Sequence, residues 1–140
     1  MEIAVRRFWP IALLLLSACA SLNQAPPSVP PDKAHVYIYR RAVPFGPAGM
    51  QVYDGQKPLG VLTGGSYLDY MTDPGTRVFK TVAANSGSMP YATTLAGGRT
   101  YYFLAYFLGD QSRGSAALTP MDEVTATAQM KDLKAISPPN

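Results

Sequence analysis

Beyond residue 33 the chain alternates apolar and polar positions at the period of two that sends successive side chains to opposite faces of a strand. In "AHVYIYRR" Val36, Ile38 and Arg40 share one face while Tyr37 and Tyr39 share the other, which predicts a first strand from Ala34 to Arg41. "PFGPAG" breaks the pattern and Met50 to Asp54 resumes it. The Asp54-Gly55-Gln56 step is a hairpin signal, because Asp-Gly accepts the positive φ that tight turns need, and Lys57 to Leu62 is the partner strand. "TGGS" at 63–66 turns the chain into Tyr67 to Met71, and "TDPGT" at 72–76 turns it again into Arg77 to Ala84. A further strand runs from about Met89 to Leu95, and "AGGR" leads into "TYYFLAYFL", Thr100 to Leu108. Seven or eight strands at roughly ten-residue spacing predict an antiparallel β-sandwich or small barrel. Turn chemistry accounts for Gly64, Gly65, Gly97 and Gly98 without a ligand-binding loop.

The segment Thr100 to Leu108 is apolar on both faces, with Tyr101, Phe103, Ala105 and Phe107 on one and Tyr102, Leu104, Tyr106 and Leu108 on the other. The outer face of a sandwich sheet is ordinarily polar, so a further element must cover this strand. The C-terminal segment predicts that cover as a helix from about Pro120 to Ala135. Thr119 suits the cap, Pro120 the first turn, and Asp122 and Glu123 the positive end; Val124 and Ala128, with Met121 and Leu133, supply an apolar stripe.

The first 33 residues follow another logic. Arg6 and Arg7 precede an apolar run from Phe8 to Leu16, and Ser17, Ala18 and Ala20 are small, the layout of an export signal. A spanning helix needs roughly 20 apolar residues, and this run is shorter and contains Pro10. Leu16-Ser17-Ala18-Cys19 resembles the lipobox of bacterial lipoproteins. The resemblance implies that residues 1–18 are removed and that Cys19, the single cysteine of the chain, is the lipid attachment point. Several acyl chains make such an anchor durable where one is marginal. Ala20 after the cysteine resembles the pattern sent to the outer membrane, so the expected location is the bacterial cell envelope, at the outer membrane facing the periplasm. Residues 19–33, rich in Pro and small polar side chains, form an extended tether; 34–135 form the domain and 136–140 a tail.

At 140 residues the chain has room for one domain, and 47% hydrophobic with 15% charged residues is a globular balance. Thirteen Pro, twelve Gly and nine Tyr suit short strands and tight turns. The formal charge of +3 falls to +2 without residues 1–18, and no basic cluster exceeds Arg40 and Arg41, which excludes a nucleic-acid stripe.

Three stretches carry a family resemblance: "VYIYRR", "VYDGQKPLGVLTGGSYLDYMTDPGTRVF" and "LAGGRTYYF". Spanning about Ala34 to Leu133, they resemble an uncharacterised family of small bacterial lipoproteins built on a domain of unknown function. The middle stretch, with Asp54-Gly55, Gly60, Tyr67 and Pro74-Gly75, is similar to the PEGA domain of bacterial surface proteins. The resemblance implies a transthyretin-like sandwich and an envelope location, and no activity. At 76–77 this chain has Thr-Arg where such sequences often carry a His, so no role of that imidazole transfers.

Catalytic chemistry finds little to build on. His35, the one histidine, has no recognisable triad motif around it and reads as a surface or edge side chain. With Cys19 acylated, His35 and scattered Asp cannot make a zinc site. Asp54 and Asp73 read as turn residues, and Asp69 and Asp110 as solvated positions. No enzyme activity, metal or cofactor is expected. Tyr37, Tyr39, Tyr53 and Tyr70 form a candidate aromatic contact surface, unless they pack in the core or under the helix. The expected function is a membrane-anchored, non-catalytic binding or interaction module that meets an envelope protein or polysaccharide. The alternative is a structural lipoprotein that supports envelope assembly without a small-molecule ligand.

Overall fold

The computed structural model describes residues 28–110 and 113–137. Cys19, the segment 1–18, the tether up to residue 27 and the tail from 138 lie outside the described residues.

The alternating segments form strands β1 (Ala34–Arg40), β2 (Met50–Asp54), β3 (Lys57–Leu62), β4 (Ser66–Thr72) and β5 (Gly75–Ala83). They are followed by β6 (Gly87–Ser88), β7 (Tyr91–Leu95), β8 (Thr100–Leu108) and β9 (Ser115–Met121). A short helix, α1 (Glu123–Met130), and strand β10 (Lys134–Ile136) complete the chain. One sheet runs β10-β4-β1-β8-β9-β6 and the other β3-β2-β5-β7, so the protein is a mainly β sandwich with a C-terminal helix on it. The smaller sheet is antiparallel throughout. In the larger, β1–β4 and β8–β9 are antiparallel but β1–β8, β10–β4 and β6–β9 are parallel, so the expected all-antiparallel pairing gives way to a mixed sheet.

The core is the interleaved inner faces. Val36, Ile38, Leu68 and Phe103 from the larger sheet meet Met50, Val52, Leu62 and Phe79 from the smaller, all at most 2% exposed. Phe79 and Phe103 tilt against each other at 44° with ring centroids 5.7 Å apart, a contact that links the layers.

The C-terminal element departs from expectation. Thr119 and Pro120 belong to β9 instead of opening a helix, and Lys134 and Ala135 belong to β10, so the helix spans Glu123–Met130 only. Pro120 is tolerated because β6 pairs with β9 only at Ser115 and Ala116; at Pro120 the strand is an edge and needs no amide donor there. The cap is Asp122, whose Oδ1 accepts the Thr125 backbone N–H at 2.8 Å. The buried helix residue is Ala126, while Val124 is 79% exposed and Ala128 faces solvent, so the expected stripe is rotated. The helix still covers β8: fully buried Tyr39, beside Leu104 in the ladder, donates its hydroxyl to Gln129 Oε1 at 2.7 Å.

The last residues of the expected tether are docked on the domain. The Gly98 backbone N–H donates to the Lys33 carbonyl at 2.7 Å, and a Cβ at Gly97 would come within 2.0 Å of the Pro31 carbonyl oxygen. Gly97 is thus required by close backbone approach as well as by its turn.

The Thr125 amide holds the Asp122 carboxyl below its ordinary value. A depressed folded pKa adds stability above the unfolded carboxyl value of about 3.9 and loses it as pH falls through the folded value. Asp122→Ala is therefore expected to lower the melting temperature at pH 7, by a margin that shrinks below about pH 4. Asp122→Asn keeps a cap without that pH dependence; thermal melts of the three proteins across pH check it.

Candidate functional site

The register of three strands decides which side chains share the outer face of the larger sheet. β1 pairs Tyr37 with Asp69 and Tyr39 with Tyr67 of β4, and pairs Tyr37 with Tyr102 and Tyr39 with Leu104 of β8. His35, Tyr37, Tyr67 and Tyr102 thereby come together. The Tyr37 and Tyr102 rings stack at 5.3 Å with 9° between planes, His35 tilts onto Tyr37 at 4.4 Å, and Tyr67 lies 6.2 Å from Tyr37. Each such contact contributes about 0.5–1.5 kcal/mol beyond area burial.

All four rings are half-buried, so this strip is neither core nor fully solvated. α1 covers the Tyr39 end of the face, and the Tyr37 end remains open, bordered by exposed Met71. Burial, with Asp69 nearby, pushes the Tyr37 phenol up; burial, with Glu123 nearby, does the same to Tyr102. Both hydroxyls therefore stay protonated at neutral pH as donors and acceptors.

The structure corrects the reading of His35, while Asp69 is the solvated position expected, its side chain 53% exposed, with a partner that the sequence did not show. His35 lies in a central strand, its side chain 17% exposed, and its Nε2–H donates to Asp69 Oδ1 at 2.5 Å. The β1–β4 register brings Asp69 diagonally across from His35, which strand alternation alone does not reveal. An imidazole oriented by a carboxylate is two parts of a nucleophile-activating arrangement, but no hydroxyl is hydrogen-bonded to this ring among the described residues. The pair holds the edge of the aromatic strip in place.

The four tyrosines singled out from sequence do not form one patch. Tyr37 belongs to the strip and Tyr39 is buried under α1. Tyr53 lies on the outer face of the other sheet with Lys80 Nζ 5.0 Å above its ring. Tyr70 points inward, packs on the core rim and donates its hydroxyl to Asp54 Oδ2 at 3.0 Å. Tyr67 and Tyr102 were not singled out from sequence, and only the ladder shows that they adjoin Tyr37 on the outer face.

A second cluster lies where β4 passes into β5. Asp54, with 6% side-chain exposure, also accepts from Arg77 Nη1 at 3.3 Å, and Lys33 Nζ donates to Asp73 Oδ1 at 2.6 Å. The exposed Lys33–Asp73 pair raises the lysine pKa and lowers that of the aspartate, chiefly through their mutual hydrogen bond. These residues, with Lys57 and Thr72, line a polar cleft of about 310 Å³. Lys33–Asp73 and Arg77–Asp54 are ion pairs and Lys57 Nζ lies 5.6 Å over the Tyr70 ring, so the cleft reads as a brace between the sheets. Asp54 is thus a buried acceptor rather than only a turn residue. Among the described residues no group of three His, Cys, Asp or Glu side chains could share a metal ion, and no helix is long and apolar enough to cross a membrane.

Removing the cation from the Asp54 brace leaves a buried carboxylate held by one hydroxyl. Arg77→Met is expected to cost about 1–3 kcal/mol in urea unfolding, and adding Asp54→Asn should recover part of that loss because the uncompensated charge disappears.

Comparison with protein-family models, with curated proteins and with solved structures finds no match, which leaves the geometry of this face to carry the functional reading.

Proposed function

We propose that this chain is a lipid-anchored protein of the bacterial cell envelope whose β-sandwich is a non-catalytic binding module. The lipobox-like Leu16-Ser17-Ala18-Cys19 supports an anchor at Cys19, and Ala20 supports the outer membrane facing the periplasm. The observation that carries the binding role is the strip of His35, Tyr37, Tyr67 and Tyr102, which leaves one end of a sheet face aromatic and half-open. Sandwich faces turned to water are ordinarily polar, and aromatic rings with free hydroxyls offer apolar area together with hydrogen bonds at small entropic cost. The partner that fits is a polysaccharide or an envelope protein.

A pull-down of the full chain from detergent extracts, run beside a glycan array, tests both parts. The native protein should fractionate with membranes and carry an acylated N-terminal cysteine by mass spectrometry, and Cys19→Ala should be released. Tyr37→Ala combined with Tyr102→Ala should lower partner or glycan retention at least tenfold while thermal melting still shows a folded domain. An unmodified N-terminus removes the anchor. Retention unchanged by the double substitution removes the strip, and a stoichiometric membrane complex indifferent to both tyrosines would favour a structural role.

A further inference from the structure

β1 and β8 end at a cavity of about 480 Å³, lined by Arg40, Val43, Phe45, Met50, Ala105 and Phe107. This volume is within the roughly 300–1,000 Å³ of small-molecule pockets. Met50 and Ala105 are buried core residues, so the floor is continuous with the hydrophobic interior. At the mouth Phe45 is 84% exposed and Val43 53%, large apolar side chains left in water on the loop between β1 and β2.

Into this apolar wall the fold sets one buried cation. Arg40 is 5% exposed, on the inward face that it shares with Val36 and Ile38. Nη1 donates to the Leu62 carbonyl at 3.3 Å and Nη2 to the Pro47 carbonyl at 2.6 Å. A guanidinium has five donors, so these bonds leave capacity unused. Among the described residues no carboxylate pairs with it. The acid that lines the cavity, Asp110, is exposed at the rim and accepts the Arg113 backbone N–H at 2.8 Å. Arg41, also at the rim and exposed, adds a second positive charge. A buried charge without a counter-ion is costly, and it is retained where an anion completes it.

We propose that this cavity binds a long-chain fatty acid, its carboxylate at Arg40 and its acyl chain over Met50, Ala105 and Phe107 toward Val43 and Phe45. One buried guanidinium matches a singly charged carboxylate, whose two oxygens take parallel N–H donors; a doubly charged phosphate would bring excess negative charge into an apolar wall. The site is separate from the aromatic strip and does not depend on acylation of Cys19, so failure of either leaves it standing.

The test is photolabelling of the full chain with a diazirine-bearing fatty acid, the labelled peptides mapped by mass spectrometry and the label competed by dodecanoate, 1-dodecanol or dodecyl phosphate. Label should concentrate in 41–50 and 104–110, and dodecanoate should compete at roughly ten- to a hundredfold lower concentration than dodecanol, the ratio that a hydrogen-bonded charge supplies. Arg40→Met should abolish that preference, with thermal melting as the check on folding. Should Arg40→Met not fold, the acid-to-alcohol ratio on the unaltered chain and the exposed-site variant Phe45→Asp, expected to lower labelling at least fivefold, still decide. Equal competition by acid and alcohol, stronger competition by dodecyl phosphate, or label spread evenly over the chain would overturn the proposal.

Discussion

Parallel backbone pairing of β1 with β8, from His35 opposite Thr100 to Tyr39 opposite Leu104, sets the arrangement of every other element in the sandwich. Parallel neighbours cannot be joined by a tight turn and need a crossover. Here the crossover contains β2 to β7, which is to say the whole smaller sheet together with β4 and β6. Closing the ladder therefore folds one layer back over the other and brings Phe79 onto Phe103. Strands in parallel pairs are commonly covered on both faces, and "TYYFLAYFL" has the near-continuous apolar character that such a position demands. The cost is kinetic, because contacts so distant in sequence form only after a long loop has closed.

The same ladder creates the outer-face strip. Stacking of Tyr37 on Tyr102 requires the two strands to run side by side with these residues level, and Tyr67 and Asp69 then join from the antiparallel neighbour β4. α1 is too short to cover the entire face; its buried contact is Ala126, with Gln129 reaching Tyr39. The pairs of Lys33 with Asp73 and of Arg77 with Asp54 lie elsewhere, around the junction of β4 and β5. The exposed Lys33–Asp73 pair adds little, whereas the sheltered Asp54 joins β2 to Tyr70 and Arg77 of different layers.

Strand alternation and Gly-containing turns made most of the sandwich legible. β1, β2, β3 and β8 were visible nearly to the residue: β1 and β2 through two-fold patterning, β3 as the partner across the Asp54-Gly55 turn, and β8 as a β-rich apolar run between strong breakers. β9 was hidden because Ala116-Ala117-Leu118 lacks alternation and Thr119-Pro120 imitates the start of a helix. The three residues of β10 are too few to show a period, and the helix between them was overextended into both neighbours. For the site, sequence placed each tyrosine on a face of its own strand but could not say which strands adjoin. The His35–Asp69 bond and the Tyr37–Tyr102 stack are products of register, so neither had a local signal. Arg40 did have one: it sits in phase with Val36 and Ile38, and a charge on a core face is the mark of a buried cation.

Because β1 and β8 run in the same direction, the domain has two unlike poles. The chain enters at one, where Val29 to Lys33 lies against Gly97 and Gly98. Arg40 and the cavity mouth lie at the other, a full strand length of roughly 20 Å away. The close backbone packing at Gly97 and the apolar opening beside Arg40 therefore cap opposite ends of one strand ladder, so a change at either end reaches the other only through the length of β1 and β8.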